Sequence, residues 1–159
     1  MREIPLTQGK VALVDDEDYE ELAIFHWLYD GRYAIRKVKG RSKEYMHRQL
    51  MPVHESGVVV DHVNGNPLDN RRSNLRAATF QQNAANSKIH AHNTSGYRGV
   101  SFYKRGKAKK WRAHITIDGL QHSLGYFVTA EEAAEAYNRK AIEVFKEFAS
   151  LNVILKEAA

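Results

Sequence analysis

The 159-residue sequence contains no cysteine, which excludes disulfides, thiolate catalysis and every sulfur-ligated zinc site, so any metal must rest on His, Asn or carboxylate ligands. Ten glycines and three prolines are too few for a low-complexity or disordered chain. No apolar run approaches the roughly 18 residues of a membrane span, and the first ten residues, MREIPLTQGK, hold no apolar signal core. These gaps point to a folded chain with no membrane partner, expected in the cytoplasm. With 43% hydrophobic and 27% charged residues, the length suits one average domain or two compact modules of roughly 60 to 90 residues.

The net charge of +5 is unevenly spread. Residues 11–30 carry seven acids and no Lys or Arg, whereas 31–50 carry seven basic residues (Arg32, Arg36, Lys37, Lys39, Arg41, Lys43 and Arg48) against Glu44 alone. A second basic block covers 94–124, where seven Lys or Arg oppose Asp118. One such run could merely solubilise a surface. Two runs interleaved with aromatic residues suggest a polyanion, because Lys and Arg neutralising phosphates are the main source of non-specific nucleic-acid affinity.

Periodicity divides the chain into three stretches. In the first, VALV, GRYAIRKVKG and KEYMHRQLM alternate β-formers with polar residues and predict short antiparallel strands, with a helical turn around Tyr19 to Trp27. In the second, over about 58–86, Val58, Val59 and Val60 predict a buried strand ending at Asp61-His62. A loop rich in Asn, Asp, Gly and Pro follows, then a return strand LRAAT and a short helix FQQNAAN capped by Thr79 with Gln82. SKIHAHNTS, at 87–95, reads as a linker. In the third stretch, YRGVSFY, KWRAHITID and HSLGYF predict three strands, the last two joined by an Asp118-Gly119 hairpin turn. A helix should then start at Thr129, with Glu132 as capping partner and a stripe of Ala133, Tyr137, Ala141, Val144, Phe145 and Phe148 facing the sheet. The expected fold class is α+β: a β-rich N-terminal segment, a strand–loop–strand–helix unit, and a three-stranded antiparallel sheet packed on one helix.

Chemistry concentrates in the second stretch. The Asp61 carboxylate and the Asn83 amide oxygen suit a hard cation such as Mg²⁺, and a neutral His62 imidazole nearby can take a proton from water. The two oxygen ligands lie 22 residues apart, a separation that a strand–loop–strand–helix unit can close. Alternation along a strand would send Asp61 and His62 to opposite sides unless the strand ends or bends there. Taken alone, an Asp-His pair is as a rule structural or incidental.

The strings MHRQLM and VVVDHVNGNPLDNRRSNLRAATFQQNAAN resemble the HNH endonucleases, in particular the phage and bacterial homing-type group. The resemblance covers roughly residues 44–90 and implies a ββα-metal fold whose first strand ends at Asp-His and whose helix carries the last Asn. Carried over, it implies His62 as general base, Asn74 as the residue that fixes the loop and orients the imidazole, and Asp61 and Asn83 as ligands of one divalent ion, Mg²⁺ or Mn²⁺. The last motif position, often His in that family, is Asn83 here. His47 either lines the same cleft with Arg48 against DNA or is a strand-surface residue.

The string NTSGYRGVSFYKRGKAKKWRAHITIDG, followed by LGYFVTAEEAAEAYNRKA and FASLN, resembles the AP-two/ERF (ethylene-response-factor) DNA-binding domain over about residues 94–153. That likeness implies a sheet lying in the major groove, with Arg98, Gly99, Trp111, Arg112 and Lys110 at the DNA and Ser101, Tyr103, His114 and His122 as weaker candidates. Trp111 is also a candidate core residue, since half of a small sheet must face its helix. Where plant members place additional Arg in the first strand, this chain has Ser101 and Phe102. The domains expected are therefore 1–90 (HNH, core 58–86) and 94–154. Together the likenesses imply a phage or mobile-element nuclease, in a bacterium or a phage-infected host cell, that nicks double-stranded DNA and needs no small-molecule cofactor. A DNA-binding transcription regulator with an inactive nuclease centre is the alternative. No dimer interface is legible.

Overall fold

A computed structural model describes residues 1–87, 89, 92–105, 108 and 110–154, with Arg41 and Ser42 described in backbone alone. Parts of the expected linker (88, 90 and 91) and of the basic turn between the first two C-terminal strands (106, 107 and 109) lie outside the described residues. The chain divides into two compact units, Met1–Phe80 and Gln81–Ala159.

The first unit opens with β1 (Arg2–Pro5) and β2 (Val11–Val14), paired antiparallel so that Ile4 meets Ala12. Helix α1 (Asp16–Ala23) follows, beginning earlier than the turn expected from the sequence. Its first turn holds Asp16, Glu17 and Asp18, and carboxylates there are favoured by the exposed N–H groups and the positive end of the helix dipole. The acidic run is thus a helix start. Strands β3 (Leu28–Tyr29), β4 (Ala34–Val38) and β5 (Arg41–Tyr45) form an antiparallel sheet in that order.

The expected strand over KEYMHRQLM is corrected in its second half. Met46–Leu50 is a short helix, α2, with Met46, His47 and Leu50 buried. Those buried positions follow a helical period, and in so short a segment a period of 2 and one of 3.6 are easily confused. Ile4, Ala12, Val14, Leu22, Trp27, Met46, Leu50 and Leu75 share one core. Burying each large apolar side chain there contributes on the order of 1.5–3 kcal/mol.

Strands β6 (Val58–His62) and β7 (Leu75–Thr79) form a two-stranded antiparallel sheet in which Asp61 faces Arg76 and His62 faces Leu75. The valines of β6 are half-buried, not buried as expected, while Asp61 and His62 are the covered residues. Helix α3 (Phe80–Asn86) starts directly after Thr79.

In the second unit β8 (Val100–Phe102), β9 (Trp111–Ile117) and β10 (Leu120–Phe127) form one antiparallel sheet with β9 in the centre. Asp118 and Gly119 both have positive φ, 51° and 77°, the geometry of the tight hairpin turn read from the sequence. Helix α4 (Ala130–Phe145) covers the sheet, and Thr129 caps it by accepting a hydrogen bond from the Glu132 N–H at 3.1 Å. Its buried face is mostly alanine, completed by Tyr137 and Phe145. Small side chains let the helix approach closely, and Gly99 shows how closely. Its φ is +68°, and an added Cβ would run into the Tyr137 ring and the His114 carbonyl. The described residues are thus α+β, with the expected three strands on one helix.

Candidate active site

The loop between β6 and β7 is held by its own side chains. Asn74 is buried; its Oδ1 accepts from the Asn64 backbone N–H at 2.9 Å and its Nδ2 donates to the Asp69 carbonyl at 2.7 Å. Asp69, 2% exposed, accepts from Asn64 Nδ2 at 2.8 Å and receives a fork from Arg71 at 2.7 and 2.6 Å. The Arg71 fork, ahead of the bond from Asn64, holds the Asp69 carboxyl below its usual range despite burial. Arg72 turns the other way. Its Nε and NH2 grip the buried Asp18 of α1 at 3.0 and 2.7 Å, and its backbone N–H donates to Asp15 at 2.7 Å. The backbone of β2 completes the attachment: Leu13 N–H donates to the Leu68 carbonyl and Asn70 N–H to the Leu13 carbonyl, each at 2.8 Å. The sequence suggested the loop but not its anchors, although the acids at 15–18 and the two arginines at 71–72 were a legible charge complement.

Fixing the loop delivers Asn70, which has no exposed surface, to His62. Asn70 Nδ2 donates to the Leu68 carbonyl at 3.3 Å, which leaves Oδ1 toward the imidazole, 3.3 Å from His62 Nε2. An amide oxygen only accepts, so the pairing assigns the ring proton to Nε2 and the basic lone pair to Nδ1. Asn74 thus secures the loop, and Asn70, which sequence reasoning missed, touches the ring. Burial is the main cause that pushes the His62 pKa down, opposed by the Asn70 bond and by Asp61 and Asp69, and assisted by Arg32. The charged form of the ring is thereby disfavoured.

Asp61, 4% exposed, is met across the strand pair by Arg76, whose Nε and NH2 both lie 2.9 Å from Oδ2. Strand β6 runs on through His62, and neighbouring strand residues face opposite ways. Asp61 and His62 accordingly meet different partners, one from β7 and one from the loop.

Three rings cluster with His62. His62 lies 5.2 Å from His47, edge to face, and 6.2 Å from Tyr33; His47 lies 5.0 Å from Tyr33 and 5.4 Å from Tyr45. His47 is only 6% exposed. Burial first, then His62 and Arg48, lowers its pKa to about 3. It is therefore a buried ring of α2 beside His62, as the cleft reading had it, and not a strand-surface residue. Arg48 is exposed and rests over the Tyr45 ring at 5.1 Å, as Arg32 rests over Tyr33 at 4.9 Å.

Asn83 is half-buried on α3, in the second unit. Among the described residues no group of three or more His, Asp or Glu side chains is placed to hold a metal ion. The candidate donors are a carboxylate and an amide oxygen, and such hard oxygen donors fit Mg²⁺ or Mn²⁺, which keep several water ligands.

On the C-terminal sheet, Trp111 is half-buried and packs against the core formed by Val100, Ala113 and the alanines of α4. It is a packing residue there, as one of the two possibilities read from the sequence had it. Arg98 is also engaged: its backbone exchanges hydrogen bonds with the Asn152 side chain, and its guanidinium donates to the Ser87 carbonyl and Ser150 Oγ. Gly99 serves close packing. Arg112 donates to Gln121 Oε1 at 3.1 Å and has a buried Nε without a partner, as has His114 at Nδ1. Lys110 and His122 are exposed, and Ser101, paired in register with Arg112, is half-buried.

A buried imidazole, held in one tautomer within reach of the fields of two carboxylates, is the equipment of a hydrolase that activates water. The HNH endonuclease family model matches residues 52–85, which contain Asp61, His62, Asn74 and Asn83. An uncharacterized HNH endonuclease of Acanthamoeba polyphaga mimivirus is 32% identical over 152 residues, covering 92% of this chain and 77% of that protein. Protein 3.8 of Escherichia phage T7 is 40% identical over 67 residues, 42% of this chain and 54% of the phage protein. An AP2-like ethylene-responsive transcription factor of Arabidopsis thaliana is 42% identical over 62 residues, 39% of this chain and 12% of the plant protein. No solved structure matches the chain. The class is thus that of the DNA-cleaving hydrolases. Within it, the chain belongs to the HNH endonuclease family.

Proposed function

We propose that the chain cuts one strand of duplex DNA at the His62 centre, using one divalent ion, Mg²⁺ or Mn²⁺. One observation carries this: Asn70 Oδ1 lies 3.3 Å from His62 Nε2, a pairing that puts the ring proton on Nε2 and makes Nδ1 the basic nitrogen. Nδ1 takes the proton of the attacking water, a step worth roughly 10²–10⁴-fold in rate. Asn70 keeps the ring in register, while Asn74, Asp69 and the two arginines keep Asn70 in place. Asp61 and Asn83 are the residues we assign to the ion. Bound there, a divalent ion would polarise the phosphate and offset charge on the leaving oxygen. A single such centre per chain favours nicking.

We assign duplex binding to the open face of the C-terminal sheet, around Ser101, Arg112 and His114, with Lys110 at its edge and Arg48 and the basic residues of 31–50 adding phosphate contacts. Alternate residues of a strand share a face. Arg112 and His114 therefore point away from the face that Ala113 and Ile115 bury. The ion pair between Asp61 and Arg76 favours a second reading, a DNA-binding regulator, because the carboxylate already has a cation. Supercoiled plasmid separates the two: open circles in Mg²⁺ and intact plasmid in EDTA support the nickase, whereas binding without cutting in either supports the regulator.

A further inference from the structure

Among the described side chains of the first unit, Arg2, Arg36, Arg71, Arg72 and Arg76 each form an ion pair with a carboxylate. Arg32 and Arg48 form none, and these are the two that rest on the tyrosines of the His62 cluster. Arg32 is one ring removed from the base, since it stands over Tyr33, which touches His62; Arg48 stands over Tyr45, which touches His47. The turn that carries Arg32 is pinned. Asp30 Oδ1 accepts from the backbone N–H groups of Arg32 at 3.1 Å and Tyr33 at 2.8 Å, Asp30 Oδ2 accepts from Lys43 Nζ at 3.1 Å, and the Tyr29 hydroxyl donates to the Gly31 carbonyl at 2.7 Å. The neighbouring acid is therefore engaged by the turn and by Lys43, and the guanidinium keeps its full charge. That charge is felt at His62, where it works against protonation of the ring. A cation beside a base is unfavourable until an anion comes between them. Phosphate is such an anion, and two of its oxygens match the donor fork of a guanidinium.

We propose that Arg32 is a catalytic residue, its guanidinium forked onto the non-bridging oxygens of the scissile phosphate while His62 takes the proton of the attacking water. The inference deepens the reading above and rests on His62 being the base: among the basic residues of 31–50 it places Arg32 on the one phosphate that reacts. As the water oxygen bonds to phosphorus and the bond to the leaving oxygen breaks, charge is shared over the non-bridging oxygens. The water proton goes to Nδ1, the leaving oxygen is protonated from solvent, and Arg32 exchanges no proton. A donor already in place where charge develops is worth on the order of 10²–10³-fold in rate, and the pinned turn and the Tyr33 ring hold this one before DNA arrives.

The test compares wild type, Arg32→Ala and Arg32→Lys in the full chain. On supercoiled plasmid in Mg²⁺ under single-turnover conditions, the maximal rate should fall about 100-fold in the alanine variant while the half-saturating protein concentration stays within about threefold. Lysine, which keeps the charge without the fork, should recover about tenfold of that loss. A second readout needs no cleavage. In EDTA at constant ionic strength, inorganic phosphate should shift the His62 ring resonances of the wild type to saturation and should leave those of Arg32→Ala in place. A wild type that cuts nothing counts against His62 as the base, and the phosphate titration then judges Arg32 by itself. A raised half-saturating concentration at an unchanged maximal rate overturns the proposal, because Arg32 would then be an ordinary backbone contact. So does a His62 response to phosphate that survives Arg32→Ala, or the lack of any response in the wild type.

Discussion

At Asn70 one amide decides which nitrogen of His62 can accept a proton. Asn70→Ala should therefore lower the single-turnover cleavage rate roughly 10- to 100-fold while plasmid binding in EDTA is unchanged; equal losses in both would make Asn70 a structural residue. His47 makes a pH prediction. Its folded pKa, about 3, lies below the ordinary value near 6.5, so the unfolded chain binds the proton more readily. The associated stability is complete above pH 6.5 and is lost as pH falls toward 3, at about 1.4 kcal/mol per pH unit, or about 2 kcal/mol by pH 5. In urea unfolding, His47→Phe should show a correspondingly shallower loss between pH 6 and 4. Asp61, His62, Asn74 and Asn83 were nameable because the resemblance to HNH endonucleases carries all four in one contiguous segment. Asn70, Tyr33 and the burial of His47 were not, since each depends on a loop or helix folding back from elsewhere.

Elements were most legible where turn chemistry and period agreed. The Asp118-Gly119 hairpin and the Thr129 cap with its alanine-rich helix follow from residues next to one another in the chain. The second half of KEYMHRQLM did not, because five residues are too few to separate the two periods and packing of Met46, His47 and Leu50 decided for a helix. The β6–β7 loop shows long-range charge at work. Arg72→Ala would leave Asp18, itself 6% exposed, without its fork. Since the arginine is half-exposed, the cost should be about 1–3 kcal/mol, below that of severing a fully buried pair. Urea unfolding measures this, and a shift under 0.5 kcal/mol (roughly the scatter of surface substitutions) would show that the loop does not depend on α1.

For the whole chain, a family of DNA-cleaving hydrolases and a C-terminal likeness to AP2-like factors meet in one 159-residue sequence. No helix among the described residues is long and apolar enough to cross a membrane. If the open sheet face holds DNA, Arg112→Ala should weaken duplex binding roughly tenfold and reduce the salt dependence by about one phosphate. Titration at several salt concentrations checks this, and an unchanged slope would move the duplex elsewhere. The central claim is that His62 is the base of a metal-dependent cut. Wild type and His62→Ala, bound to supercoiled DNA to equal occupancy in EDTA and then given Mg²⁺, test it most directly: the wild type should convert the plasmid to open circles and the variant should leave it supercoiled. Equal cutting by both, or by neither, would contradict the account.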